Sequence, residues 1–321
     1  MSGSYDPGEL YWFKGLGAGR FAARQTLCGR DGRPILSVPD QQQKFESFGT
    51  WVDAVDWDGD GDPDLVYGCF TGRVMLRLNE GTSRAPLFAS ANVEVQAGGR
   101  ELEVPGFHGA IVAADWDGDG RFDLVLGSAD GGAYWCRNVG TKGAPAFETP
   151  ATLVPPHDPR LGNGYQEWLE PGVMPRPGIR AQIDVVDWNG DGKLDLLVGD
   201  FRSTVSPRAD LTPKERTSLD RLRHVHELLG EKLETLRTAI DRKLDEYVVT
   251  FTDEEIATDA AQEKIRRKDE ELRSDPDYVA LANRSRETWK YIESYLEKSK
   301  LPEGDDDFST AHGHVWLYLR Q

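Results

Sequence analysis

Nearly the same acidic nine-residue loop is spelled three times in this chain. It reads Asp56-Trp57-Asp58-Gly59-Asp60-Gly61-Asp62-Pro63-Asp64, then Asp115-Trp116-Asp117-Gly118-Asp119-Gly120-Arg121-Phe122-Asp123, then Asp187-Trp188-Asn189-Gly190-Asp191-Gly192-Lys193-Leu194-Asp195. Carboxylate or amide oxygens fall at positions 1, 3, 5 and 9, and a glycine holds position 6. Hard cations such as Ca²⁺ take roughly six to eight oxygen ligands, and glycine lets the backbone turn sharply around the ion. Without a cation, carboxylates at this density repel one another. The loops therefore read as sites for about three structural Ca²⁺ ions, a count that follows from the spacing rule. The expected ligands are Asp56, Asp58, Asp60, Asp62 and Asp64; Asp115, Asp117, Asp119, Arg121 and Asp123; and Asp187, Asn189, Asp191, Lys193 and Asp195. Position 7 (Asp62, Arg121, Lys193) changes its chemistry between copies, so its backbone carbonyl is the expected ligand. A metal-free Asp-Gly hairpin turn would explain one copy, but three copies in register favour the ion.

An EF-hand is excluded. That loop needs a bidentate Glu at position 12 and a helix on each side, whereas position 12 here is Tyr67, Leu126 or Val198. The flanks are short apolar runs, which read as strands. Trp51 to Val55 precede the first loop and Leu65 to Tyr67 follow it. Ala110 to Ala114 and Leu124 to Leu126 flank the second, and Ile183 to Val186 and Leu196 to Val198 flank the third. Further shared text follows: a Gly (Gly68, Gly127), a third strand (Arg73 to Asn79, Ala133 to Asn138), then a turn ending in Phe88 or Phe147. Strand, acidic loop, strand, turn, strand, turn, strand is one four-stranded propeller blade. The Trp at loop position 2 (Trp57, Trp116, Trp188) repeats with the strands and is expected to pack in the core or between blades.

On these motifs the chain resembles the FG-GAP/VCBS repeat family, the calcium-loop blades of integrin α-subunit propellers and many bacterial surface proteins. The likeness covers residues 1–205 and 311–321, and His314 to Leu319 is similar to the final strand of secreted bacterial members. The resemblance implies an all-β propeller of four-stranded FG-GAP blades, about four modules with the first incomplete, interrupted by an α-helical hairpin or coiled coil. The predicted organisation is a partial blade at 1–48, blades at 49–107, 108–178 and 179–205 (together 1–210), a helical insertion at 211–300, and a last propeller strand within 301–321. Because the first module lacks its opening strands and loop, the expectation is an N-terminus cut short, with a secretion signal lost.

The insertion has its own grammar. Thr212-Pro213-Lys214-Glu215 spells a helix start. Leu219, Leu222, His226, Leu229, Leu233, Leu236, Ile240, Leu244 and Tyr247 then recur at heptad spacing. A second helix is predicted from Thr252 to near Arg273, restarting at Ser274-Asp275-Pro276, with Tyr278, Leu281, Trp289, Ile292 and Leu296 facing inward.

Composition narrows the function. The formal net charge is −17, which argues against nucleic acid, and no apolar run is long enough for membrane insertion. Three cysteines (Cys28, Cys69, Cys136) give no disulfide framework; buried thiols are expected. No nucleophile, base or phosphate-loop constellation stands out, so no catalytic residue is assigned. The surface best suited to a ligand combines aromatic and polar groups in long links: Phe107, His108, Tyr165, Trp168 and Arg202, with Arg176 nearby. Packing against the helical insertion is the alternative for Tyr165 and Trp168. The expected function is a calcium-stabilised, secreted, cell-surface or periplasmic propeller, non-catalytic, that binds or scaffolds a protein or carbohydrate ligand. Self-association through open strand edges or the helical insert is also expected. The alternative is a propeller-type polysaccharide lyase or hydrolase with its site opposite the calcium loops, which rests on fold analogy.

Overall fold

The computed structural model describes residues 2–3, 8–36, 50–157, 167–170, 173, 177–256, 258–297 and 309–320. The chain divides into a unit of sheets (Met1–Glu167, Met174–Thr204, Ala311–Gln321) and a unit of helices (Trp168–Val173, Val205–Thr310).

Four sheets follow one another in the first unit. β1 (Ser2–Gly3), β2 (Leu10–Trp12) and β5 (Gln25–Thr26) make the first, with the hairpin β3 (Gly15–Gly17) and β4 (Arg20–Phe21) between β2 and β5. β6 (Trp51–Val55), β7 (Asp64–Gly68), β8 (Val74–Arg77) and β9 (Val93–Glu94) make a four-stranded antiparallel meander. After the hairpin β10 (Gln96–Ala97) and β11 (Arg100–Glu101), β12 (Ala110–Ala114), β13 (Asp123–Gly127), β14 (Ala133–Cys136) and β15 (Ala151–Val154) repeat that meander. In the last sheet, β18 (Asp195–Val205) pairs with β16 (Glu167–Trp168), β17 (Ile179–Val186), β19 (Ser309–His312) and β20 (Val315–Tyr318). No strand pairing among the described residues joins this sheet back to the first. Successive sheets are likewise joined by side-chain packing rather than by strand pairing.

Each acidic loop joins the first two strands of its sheet, as the sequence predicts. The closing pair is equivalent in all three: Val55 with Asp64, Ala114 with Asp123, Val186 with Asp195. The middle strands are buried on both faces, which explains their unbroken apolar runs. Alternate residues of a strand point to opposite faces. Leu65 and Tyr67 therefore pack with Leu10, Leu27 and Ile35 of the first sheet, while Val66 packs with Leu124 and Leu126 of the third. Val125 in turn packs with Leu196 and Val198 of the fourth. Each such side chain contributes about 1.5–3 kcal/mol when fully buried.

Two expectations need correction here. Trp57 packs on Phe122 and Phe147 with ring centroids 5.4 and 5.5 Å away, and Trp116 is buried, but Trp188 is 62 % exposed. The reason is position: no further sheet lies beyond the fourth among the described residues. Cys69 and Cys136 are buried free thiols, whereas Cys28 is exposed, since it follows the edge strand β5.

In the helical unit, α1 (Pro213–Val248) starts with the predicted capping box. Thr212 Oγ1 accepts from Glu215 N at 3.3 Å and Glu215 Oε2 accepts from Thr212 N at 2.9 Å. Every residue of the heptad stripe from Leu219 to Tyr247 is buried or half-buried. The second helix is not continuous. α2 (Asp253–Ile256) stops, and α3 (Asp259–Arg273) begins afresh with Thr258 as cap, its Oγ1 accepting from Ala261 N at 3.3 Å. A threonine that takes up a free amide favours the cap over the helix interior. α4 (Pro276–Glu293) is capped by Asp275. α1 packs against α3 and α4, and Arg273 on α3 pairs with Asp241 on α1 at 2.9 Å. Val205, Leu219, Ile292 and Leu296 form the buried core, with Trp168 against it.

Candidate functional site

The three loops are folded by the same backbone bonds. The position-6 amide donates to the position-1 carboxylate: Gly61 to Asp56 at 3.2 Å, Gly120 to Asp115 at 2.9 Å, Gly192 to Asp187 at 3.0 Å. The position-5 amide donates to position 3 (Asp60 to Asp58, Asp119 to Asp117, Asp191 to Asn189) and the position-7 amide to position 5 (Asp62 to Asp60, Arg121 to Asp119, Lys193 to Asp191). The position-6 glycines adopt φ of 95°, 86° and 87°, a left-handed backbone that a side chain would strain.

This winding gathers the carboxylates. Oxygens of Asp56, Asp58 and Asp60 lie within 4.8 Å of one another, as do those of Asp115, Asp117 and Asp119. In the third loop Asn189 takes the central place, and its Nδ2 donates to Asp191 at 3.1 Å. Backbone bonding from Lys193, then the Asn189 bond, holds the Asp191 carboxyl below its usual range. The donor set is all oxygen, which suits Ca²⁺ or Mg²⁺ rather than softer metals. Asp62 Oδ1 and Asp115 Oδ1 are buried and accept no hydrogen bond, a condition that a bound cation relieves. Burial, followed by the charges of Asp60, Asp58 and Asp56, pushes the Asp62 carboxyl above its usual range. These residues fit a hard cation.

The ninth-position aspartates have a further task. Asp64 accepts from Trp57 N at 2.9 Å and Asn79 N at 2.6 Å, and Asp195 from Trp188 N at 3.0 Å and Arg320 N at 2.8 Å. Asp123 accepts from Asn138 N at 2.7 Å. They tie the loop to the end of the third strand, and each oxygen keeps a second lone pair. Burial raises the carboxyls of Asp64 and Asp123 against the pull of these backbone bonds. In the second loop, Arg121 pairs with Asp119, and Arg137 Nε lies 2.7 Å from Asp117 Oδ2. Arginine thus offsets part of that loop's charge, whereas loop one has five carboxylates and no basic residue of its own.

Two segments, residues 56–126 and 115–198, match the family of the FG-GAP-like repeat. These residues are similar to FG-GAP-like repeats. Each match opens on the first aspartate of an acidic loop and runs past the next loop, so the repeats and the metal-ligand pattern coincide. A comparison with curated proteins finds no match.

The residues expected to bind a partner differ in exposure and in the unit they belong to. Phe107 is exposed, whereas Arg202 and His108 are buried. His108 lies beneath Phe70 and Trp51, at 4.2 and 5.2 Å between rings. Trp168 belongs to the helical unit, where it faces Trp289 at 6.3 Å and carries the Arg223 guanidinium 4.2 Å above its ring. Tyr165 and Arg176 lie outside the described residues. Arg180 and Phe201 are the residues that sequence reading missed. Phe107, His108 and Arg180 all have positive φ (65°, 57° and 58°), at about 1–3 kcal/mol of strain each. Backbone bonds hold the strain: Ala129 N donates to Phe107 O and Arg180 N to Ala129 O, both at 2.8 Å. Arg180 lies 5.3 Å over the Phe201 ring. Nothing in the sequence marks a left-handed arginine.

Burial, and secondly the charge of Arg180, lowers the His108 pKa from 6.5 to about 4. The native chain holds this ring neutral, while an unfolded chain takes up its proton near 6.5. Stability from this group is therefore complete above pH 6.5 and is lost as pH falls towards 4. The loss is expected to reach about 3 kcal/mol across that window. Urea melts between pH 7 and 4 check it: His108→Gln should flatten the slope, and an unchanged slope would remove His108 as its source.

Proposed function

We propose that the chain is a calcium-stabilised β-propeller that acts outside the cell as a binding or scaffolding module for a protein or carbohydrate, without catalysis. The observation that carries this reading is the pair of aspartate triads in strand-joining loops of FG-GAP-like repeats. Asp56, Asp58 and Asp60 would hold one ion and Asp115, Asp117 and Asp119 another, with Asp187, Asn189 and Asp191 a weaker third. A bound ion neutralises the carboxylates and pins the turn, so its binding free energy becomes folding free energy. Repeats of this family are typical of extracellular proteins, where calcium suffices for modules of about 10⁻⁴–10⁻³ M affinity. Among the described residues no helix is long and apolar enough to cross a membrane. For the partner, the exposed Phe107 ring and the Arg180–Phe201 pair suit a sugar or peptide: apolar surface beside a few oriented polar groups.

Isothermal titration with CaCl₂ tests the metal sites. Affinity should fall from loop one to loop three with the count of carboxylates. Asp58→Asn with Asp60→Asn should remove one binding equivalent, the tightest. Retention of every equivalent in that variant would refute the assignment. A glycan and peptide array read with Phe107→Ala and Arg180→Ala tests the partner surface.

A further inference from the structure

The joints between successive sheets reuse one design, and its two halves lie bare at opposite ends of the series. Three observations define the bare face of the fourth sheet. Position-2 tryptophans of the first two loops are covered by the following sheet, but Trp188 is 62 % exposed. Gly68 and Gly127 have the next sheet's backbone against them, at Gly109 and Ala181; the equivalent Gly199 meets only Gln182 at 3.6 Å. Along β18 and β20, Leu196, Val198, Trp316 and Tyr318 face the third sheet, while the alternate residues Leu197, Val315 and Leu317 are half-buried or exposed. Val186, two residues before Trp188, is exposed as well.

The other half is at the first sheet. Phe88 and Phe147 close the strand-turn-strand of their modules opposite Asn79 and Asn138, and both are 6 % exposed because they pack on the preceding module. Phe21 stands at that position, opposite Gly15, and is 66 % exposed. Leu16 and Phe13 beside it are exposed as well. In the joint inside the chain, Trp57 meets Phe147 at 5.5 Å. Trp188 and Phe21 are the same two partners, each lacking its mate.

We propose that the Trp188 face of one copy docks on the Phe21 face of a second copy, head to tail, continuing the joint that already connects the sheets. The occupant is a second copy because the chain carries both complementary halves. A head-to-tail contact of this kind closes into a ring or runs on as a filament, according to the rotation at each joint.

Sedimentation of the full chain in millimolar CaCl₂, over a hundredfold concentration range, tests this. The expected result is a mass of two copies or more that rises with concentration. Phe21→Asp should block one face and Val315→Asp or Trp188→Ser the other, each weakening association by about 30-fold or more, as loss of a central anchor does. All three side chains are exposed, so the variants should keep the circular dichroism of the wild type and the calcium uptake of the first two loops. Neither single variant alone should associate, yet Phe21→Asp mixed with Val315→Asp should form a dimer, because each supplies the face the other has lost. A wild-type monomer throughout the range overturns the proposal. Association that survives Phe21→Asp but not Val315→Asp would show like faces pairing and overturns it too, as would association that survives both.

Discussion

Excess EGTA is expected to lower the melting temperature by about 10 °C, relative to the chain in millimolar calcium. Two loops carry a full carboxylate triad. At free calcium about 10 to 100 times the dissociation constant, each would contribute about 1.4–2.7 kcal/mol. A domain of about 150–250 residues shifts by about 2–4 °C per kcal/mol, which gives the stated size. Mg²⁺ at equal concentration should restore less of the loss, because it demands octahedral geometry and sheds water reluctantly. Calorimetric melts with CaCl₂, MgCl₂ and EGTA decide the matter. Superimposable melts with calcium and with EGTA would mean that the triads fold unaided, and the proposed role of the ion would fail.

Gly68→Ala should be the most damaging small substitution in the sheet unit. A Cβ there would fall well inside the contact distance of the Gly109 carbonyl, and both neighbours are backbone that cannot rotate away. Gly127→Ala meets the Ala181 carbonyl in the same way. Overpacking without room to relax costs about 3 kcal/mol or more. Gly199→Ala places its Cβ at an ordinary 3.6 Å from Gln182 and should change stability by less than about 0.5 kcal/mol. Urea midpoints of the three variants provide the comparison. Equal losses at all three would deny that the joints differ.

What could be read from the sequence was what local chemistry decides. The acidic loops, their flanking strands and the Thr212–Glu215 box depend on residues within one turn, so residue type and spacing identify them. Two signals were present and undervalued. Gln96-Ala97-Gly98-Gly99-Arg100-Glu101 is a two-residue hairpin, with φ of 58° and 79° at its glycines, and Gly-Gly is a known turn pair. Thr258-Asp259 is a cap inside a charged run. Other features had no local signal. Whether Trp188 is covered depends on what lies beyond it, and its sequence context is that of Trp57. The positive φ of Phe107, His108 and Arg180 comes from bonds between neighbouring modules, which residue type does not encode. The same holds for the ties that ninth-position aspartates make to distant backbone.

The two-sided middle strands have a consequence for how such a chain can change. A substitution at Leu65 reaches only the seam with the first sheet, and one at Val66 only the seam with the third. Mutational damage is thereby confined to one boundary at a time. Drift can retune a single seam while the other holds the fold, and whole modules can be gained or lost in steps whose cost is that of a seam rather than of the entire core.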